Sequence, residues 1–486
     1  MAGRNIGAAR GRLARVGATL FALLCLGGFA LMPGSSAAFS ATTTGPASSF
    51  AARATFGLSQ TAPCFSDNGT GSCTAAAGIS EGASVVVSPD GKNVYVGSIA
   101  NSAVASFSRN ATTGALTRLA GTTGCHSNGT LAGCTKVPGV LGAVSDLSIS
   151  PDGKNVYAVG YNSSTVAEFS RNATTGALTL LSSPNGCLYD NGVGTPPAGC
   201  TAAWKLSGAD GVVVSPDGAY VYVTAVGSNS LTVFARNATT GVLTQVSGTA
   251  GCYTNTAAPG CTTVYGLVNP YYLRTSPDGT SVYVAAYAGS AVAIFQRNMT
   301  TGVLTQPAGP NACVYDNTAS AITNCTVVSG ISGAYHVDVA PDGRTVYAAG
   351  RNGSTVAAFT RNTSTGVLTQ VASPNRCAYI GSAVTGCTAA RAISQPTGIE
   401  FSSDGLFAFV TSAGSHGVAV FRHNSSTGVL TQLTATSGCI STGTAGCTTG
   451  IGLSTASAIA ISPDDRDVYV VGGSGRGYVA VLNLTH

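Results

Sequence analysis

Short β-branched runs alternate with polar turns along most of this chain. Apolar triplets such as Val85-Val86-Val87 and Val212-Val213-Val214 precede the phrase Ser-Pro-Asp-Gly, and period-two runs such as Val94-Tyr95-Val96 follow it. Runs this short, rich in Val and Tyr and bounded by Pro, Asp and Gly, predict strands rather than helices. The phrase is itself a turn: Pro presets φ, Asp bonds nearby backbone, and Gly supplies the left-handed position. A third run ends in Phe-x-Arg-Asn, as at residues 107–110, and Ala-Thr-Thr-Gly then leads to a fourth, Ala115-Leu116-Thr117.

The four-run unit repeats. SPDGKNVYV at Ser88 returns as SPDGKNVYA at Ser150, SPDGAYVYV at Ser215 and SPDGTSVYV at Ser276. It continues as APDGRTVYA at Ala340, SSDGLFAFV at Ser402 and SPDDRDVYV at Ser462. The proline position falls at 89, 151, 216, 277, 341, 403 and 463, a period of about 62 residues. Seven copies of four short strands predict an all-β, seven-bladed β-propeller with four antiparallel strands per blade. The predicted blades cover about 82–124, 142–186, 208–251, 269–312, 333–376, 395–438 and 456–486, the last with 54–62.

The ends predict closure. The seventh copy stops after its third strand, and the missing fourth stands at the front, where Phe56-Gly57-Leu58-Ser59-Gln60 leads to Cys64 as Gly302-Val303-Leu304-Thr305-Gln306 leads to Cys313. An N-terminal strand completing the last blade seals the ring and removes an aggregation-prone edge. A solenoid is the alternative architecture, but it needs capping repeats rather than a split final unit.

Residues 1–38 read as an export signal: Arg4, Arg10, Arg12 and Arg15, an apolar run over 16–32, then Ser36-Ala37-Ala38. The apolar run also has nearly the length of an uncleaved membrane anchor. Cys25 sits inside it, after Leu24 rather than a small residue, and reads as signal interior. A linker over 39–53 and a propeller over 54–486 complete the domain reading, which places the protein outside the cell or on its surface. Without the signal the formal charge drops from +5 to +1. A near-neutral domain lacks the basic footprint of nucleic-acid binding.

Fourteen of the fifteen cysteines remain after Cys25, and they fall in neighbouring twos. Cys64 stands with Cys73, Cys125 with Cys134, Cys187 with Cys200, and Cys252 with Cys261. Cys313 stands with Cys325, Cys377 with Cys387, and Cys439 with Cys447. An even number in an exported chain reads as a disulfide framework. One pair per repeat makes local pairing the economical connectivity, and a loop of about ten residues contributes roughly 2.5–3 kcal/mol in the chain-entropy account. The competing reading is zinc, whose ligand pairs sit closer together and come with a second pair or with histidines. These loops lie between the fourth strand of one blade and the first of the next, where they are expected to stiffen one face and crowd the channel mouth.

SPDGKNVYV with RNATTGALT resembles the YVTN/lactonase group of seven-bladed propellers, which includes 6-phosphogluconolactonase-like and 3-carboxymuconate-cyclase-like proteins. The resemblance covers nearly all of residues 50–486. It implies an opening at the central channel, ringed in catalytic members by histidine, arginine and carboxylate side chains, with no metal requirement. The phrases are scaffold motifs, and fold does not dictate function.

Three residues before each turn proline stand Val86, Ser148, Val213, Arg274, Asp338, Glu400 and Ala460. Five before it stand Ser84, Asp146, Gly211, Tyr272, His336, Gly398 and Ala458, with Asp210, Tyr271 and Tyr335 one further out. The charged set clusters on blades 4 to 6 and is expected to converge on the axis. Two readings compete. Arg274 forms a structural ion pair with Asp338 or Glu400, or Arg274, His336, Asp338 and Glu400 hydrolyse a cyclic ester, a base activating water and the cation steadying the oxyanion. Asp146, Asp210, Tyr271, Tyr272 and Tyr335 are the expected ligand-binding residues. His336 is the one histidine in this set; His416 and His423 fall on outer strands or turns.

The Asn-x-Thr/Ser sites at Asn110, Asn172, Asn237, Asn298, Asn362 and Asn424 recur in one turn and read as turn chemistry before glycosylation. The preceding Arg109, Arg171, Arg236, Arg297 and Arg361 read as rim or blade-packing residues. The aspartates of the Ser-Pro-Asp-Gly turns read as turn formers. No metal site and no cofactor are expected. The leading functional expectation is a secreted or surface-held propeller binding a small molecule, carbohydrate or protein on its loop face. The alternatives are a lactone hydrolase and a structural coat or matrix protein. The chain is expected to be a monomer that touches a membrane only through an uncleaved N-terminus.

Overall fold

A computed structural model describes residues 56–485 apart from 71, 130 and 193–194. The expected signal, its alternative as an anchor, and the linker lie outside the described residues. Among the described residues no helix is long and apolar enough to cross a membrane.

The strands form seven sheets, each a blade. The innermost strands are Gly82–Val87, Val144–Ile149, Ala209–Val214, Pro270–Thr275, Ala334–Val339, Pro396–Phe401 and Ala456–Ile461. Each packs against the inner strand of the next blade, and Ala456–Ile461 packs against Gly82–Val87, so the ring closes. Four residues before the turn proline, Val85, Leu147, Val212, Leu273, Val337, Ile399 and Ile459 fill successive interfaces between blades. Second and third strands follow antiparallel, as Asn93–Ser98 and Ala103–Arg109 do in blade 1.

The fourth position is finer than expected. In blade 1 it is split: Leu116–Arg118 pairs with one end of the third strand, and Cys125–Ser127 pairs with the other. Thr135–Lys136, from the far side of the cysteine loop, then adds in parallel. The cysteine loops thus extend each blade outward.

All seven expected local disulfides form, so the zinc reading of the cysteines falls away. Cys64 bonds Cys73, Cys125 bonds Cys134, Cys187 bonds Cys200, and Cys252 bonds Cys261. Cys313 bonds Cys325, Cys377 bonds Cys387, and Cys439 bonds Cys447. Their Cα–Cα separations lie between 4.5 and 4.9 Å. They cover the outer perimeter, and none lines the channel cavity described below. The expected crowding of the mouth is therefore corrected. The strand that begins at or directly after the first cysteine of each pair bonds to the third strand, and the second cysteine, as at Cys73, Cys134, Cys261, Cys325, Cys387 and Cys447, stands at the blade's outer edge, farthest from the axis.

The ring is latched at the ends. Gly57, Leu58 and Ser59 pair with Thr485, Leu484 and Asn483, and Phe65–Ser66 pairs with Val479 and Tyr478. Phe56 stacks on Phe407 of blade 6 at 3.5 Å between centroids, tying the latch to the neighbouring sheet.

One network explains why the phrases repeat. The arginine that ends the third strand in blades 1 to 5 is buried and reaches back to the preceding blade. Arg171 bonds the Tyr95 hydroxyl at 3.0 Å, the Asp90 carboxylate at 2.8 Å and the Asn93 amide oxygen at 2.6 Å. Arg236, Arg297 and Arg361 bond Tyr157 and Asp152, Tyr222 and Asp217, and Tyr283 and Asp278 in the same way. Arg109 carries the pattern across the seam to Tyr469, Asp464 and Asp467. The turn aspartate, the strand tyrosine and the arginine are thus one staple between blades. The Asn of the next turn accepts from backbone N–H groups, Asn110 Oδ1 from Thr112 and Thr113 at 2.9 and 3.1 Å.

Two interfaces lack the arginine. His423 takes its place between blades 5 and 6, with Nε2 at 3.1 Å from the Thr345 hydroxyl and Nδ1 at 2.6 Å from the Gly405 carbonyl. Between blades 6 and 7 the equivalent residue is Leu484, and the carboxylate of Asp465 instead accepts from the Ser403 amide at 2.8 Å. Asp465 stands where other turns have glycine and holds φ of +53°, a left-handed conformation that Gly91 meets at +67° without a Cβ to accommodate.

Candidate functional site at the channel

Every inner strand carries a register shift near its start, between Gly82 and Ser84 in blade 1 and between Ala334 and His336 in blade 5. A bulge breaks strict alternation and re-aims side chains. Asp210, Tyr271, Tyr272 and Tyr335 lie within these shifts.

A cavity of about 280 Å³ lies among the inner strands. Asp146, Tyr272, Arg274, His336 and Glu400 line it together with apolar residues that include Val86, Val213, Ile459 and Ala460. It extends toward the turn ends of the strands, where Val87, Ile149 and Ile461 contribute. Asp338 pairs with Arg274 and is not among the residues that line the cavity. Asp210, Tyr271 and Tyr335 are also outside its lining.

Arg274 meets two carboxylates. Its Nε is 3.5 Å from Asp338 Oδ1, and its Nη2 is 3.9 Å from Glu400 Oε2. The ion-pair expectation thus holds with both partners at once. Burial pushes the Asp338 and Glu400 carboxyls up; the guanidinium opposes this at both, and the charge of Asp338 adds to it at Glu400. Glu400 keeps 32% of its side-chain surface open, so channel water screens it more than Asp338, at 11%. Asp146 is buried but fully engaged. Its Oδ1 accepts from the Ser84 hydroxyl at 2.8 Å and its own neighbour Leu147 N–H at 2.9 Å, and its Oδ2 accepts from Val212 N–H at 3.0 Å. It therefore ties blades 1, 2 and 3 together at the axis.

His336 is 5% exposed, and its Nδ1 has no hydrogen-bond partner. Burial, followed by the Arg274 charge, holds its pKa well below the ordinary histidine range, so the ring is neutral. Among the described residues no carboxylate hydrogen-bonds His336; the ring lies 5.1 Å from that of Tyr272. Tyr272 crosses the channel and donates its hydroxyl to the Ala83 carbonyl at 3.4 Å.

Beyond Tyr272, toward the other end of the strands, lies a tyrosine cluster. Tyr335 is 5.4 Å from Tyr272 and 5.2 Å from Tyr271, and Tyr271 is 5.5 Å from Tyr287. Arg351 stands over Tyr335 at 4.8 Å. Asp210 sits beside them with no hydrogen bond to its carboxyl, which burial and then Asp146 push up to about 8. Tyr287 and Arg351 come from turns between second and third strands and were not expected; they follow second strands directly, which was the available signal. Among the described residues no group of three or more His, Cys, Asp and Glu is placed to hold a metal.

The profile described as Lactonase, 7-bladed beta-propeller, matches residues 47–187 and 193–311. The chain belongs to this lactonase family. Several solved structures are similar at low identity. A candidate 6-phosphogluconolactonase of Bacteroides fragilis is 21% identical, over 72% of this chain and 82% of that one, with a TM-score of 0.49. The periplasmic gluconolactonase of Pseudomonas aeruginosa is 17% identical, over 75% and 86%, with a TM-score of 0.48. A Lactobacillus plantarum protein is 18% identical, over 73% and 84%, with a TM-score of 0.48. No curated protein matches.

Proposed function

We propose that this protein hydrolyses lactones at the central channel. One observation carries the reading: a guanidinium, a neutral imidazole and a carboxyl of raised pKa share one cavity. Ionised Glu400, more basic than an ordinary carboxylate, takes a proton from water as the oxygen attacks the lactone carbonyl. Arg274 lies beside the oxyanion that forms. Collapse breaks the ring C–O bond, and Glu400 returns the proton to the leaving alkoxide, giving a hydroxy acid. Asp338 positions Arg274, and the neutral His336 ring lines the cavity beside them.

A second reading is ligand binding without turnover at the tyrosine-lined end, favoured by Tyr271, Tyr287 and Tyr335 with the unbonded Asp210. Seven disulfides suit an oxidising, extracellular or periplasmic setting, consistent with an exported chain. The deciding experiment is a lactone-hydrolysis screen on the protein and on its Arg274→Ala and Glu400→Gln variants. Turnover lost by at least ~100-fold in both variants supports the hydrolase. Turnover equal in all three proteins, or none above background, removes it.

A further inference from the structure

The cavity's charges bear on which lactones it would accept. Arg274 is the single cation on its wall, and it already faces Asp338 and Glu400. Asp146 brings a further carboxyl to the same wall, and no lysine or second arginine lines it. The site therefore offers acid in excess. A phosphate or carboxylate on the substrate would meet these groups with no free cation to pair with, and like charges in a confined site repel strongly.

Most of the cavity's hydroxyls already donate within the protein. Ser84 donates to Asp146, whereas Ser148 accepts from the Val214 amide at 3.1 Å and keeps its own O–H. Thr397 donates to the Ala456 carbonyl at 2.8 Å, and Ser457 donates to the carbonyl of Gly82. A polyhydroxylated ring would bury hydroxyls that find few partners, which costs affinity. Val86, Val213, Ile459 and Ala460 supply instead apolar lining on blades 1, 3 and 7, interrupted at blade 2 by Asp146 and Ser148.

Resting on the hydrolase reading above, we infer that the substrate is an uncharged lactone carrying an alkyl chain. The ester carbonyl faces Arg274 and the chain lies along the wall formed by Val86, Val213 and Ile459. Substrate selection is then set by blades 1, 3 and 7, and chemistry by blades 4 to 6.

The test compares three probes on the full chain: δ-decalactone, glucono-δ-lactone and a phosphorylated sugar δ-lactone. The expected order of kcat/KM is alkyl above sugar by about 10-fold or more, with the phosphorylated ring lowest. A Val86→Lys variant, checked for an unchanged melting temperature, should lower the alkyl rate and raise that of the phosphorylated probe. A Val86→Leu variant controls for shape and should keep the wild-type order. Hydrolysis of the phosphorylated or sugar lactone as fast as the alkyl one overturns the substrate inference while leaving the hydrolase standing. Failure of all three probes, with Arg274→Ala indistinguishable from wild type, brings down the hydrolase and this inference with it.

Discussion

Arg171, at the end of the third strand of blade 2, places its Nη2 2.8 Å from the Asp90 carboxylate in the first turn of blade 1. The two residues are 81 apart in sequence, yet each belongs to a phrase repeated around the ring. Arg171 is 1% exposed on its side chain and Asp90 32%, so the staple's worth lies in the guanidinium's buried bonds more than in the screened charge pair.

Arg171→Ala strands the Asn93 amide oxygen and removes a donor from Tyr95. It should lower unfolding free energy by about 2–4 kcal/mol in urea titrations. Arg171→Lys should recover less than half of that, because an ammonium cannot span the same fork of acceptors. Equal stability of the three proteins would contradict the staple.

These pairs also set the acid limit of stability. Burial alone would raise Asp90; the Arg171 and Ser88 hydrogen bonds outweigh it and hold the carboxyl below its ordinary value. Asp278, under the same opposition, is held at about 2. A depressed carboxylate contributes stability above its unfolded pKa, near ~3.9, and loses it as pH falls through the folded value. Thermal melts from about pH 5 to pH 2 should show the fall, and Asp278→Asn should flatten it.

Glu168 acts in the opposite sense. It is buried between blades 2 and 3, where burial pushes it up to about 8 against one hydrogen bond from Leu243 N–H at 2.8 Å. Its folded pKa lies above the unfolded one, so its contribution is greatest below about 4.3 and is lost as pH rises toward 8. Glu168→Gln keeps an acceptor for Leu243 and should stabilise the protein at about pH 8 by about 1–3 kcal/mol, with little change at about pH 4. Melting curves at the two pH values check the sign.

The proposed base predicts a pH–rate profile. With Glu400 raised, the acid limb of kcat/KM should lie nearer neutrality than the ordinary carboxylate range around 4.3, with the rate rising as pH rises through it. His336→Ala should reduce kcat/KM but leave that limb in place. A limb that persists in Glu400→Gln would assign the base elsewhere.

The peripheral disulfides predict separable effects. Replacing Cys187 and Cys200 together by Ala should cost about 2–3 kcal/mol of stability. The channel should be untouched, because that pair sits on the outermost strands of blade 2. Lactone turnover at about 25 °C and urea midpoints measure the two effects independently.

The repeat, its period and its split ends were enough to specify the ring, because each blade's local pattern is the same instruction issued seven times. The segment from Phe56 to Gln60 could be assigned to the last blade from chain order alone, since a missing fourth strand has one place to go; its register, Leu58 against Leu484, came from the structure. The cysteine partners were legible for the same reason: one pair per repeat leaves each thiol a near neighbour, as Cys64 has in Cys73. Where those loops stand was not legible, because pairing along the chain does not say which edge of a sheet the pair joins. The arginine staple was visible as a repeated letter, yet its partners were not, since they stand in another blade. At the axis the sequence located Arg274, Asp338 and Glu400 at one repeat position. Their differing environments needed coordinates: Asp338 paired with the guanidinium and off the cavity lining, Glu400 on it, His336 without a carboxylate. The bulge decided the rest. One extra residue shifts alternation within each inner strand, and Tyr272 then lies across the channel, leaving Tyr271 and Tyr335 outside the cavity. Repetition fixes what neighbouring residues do, whereas a site at the axis is made of single residues from different blades, and only tertiary packing sets their distances.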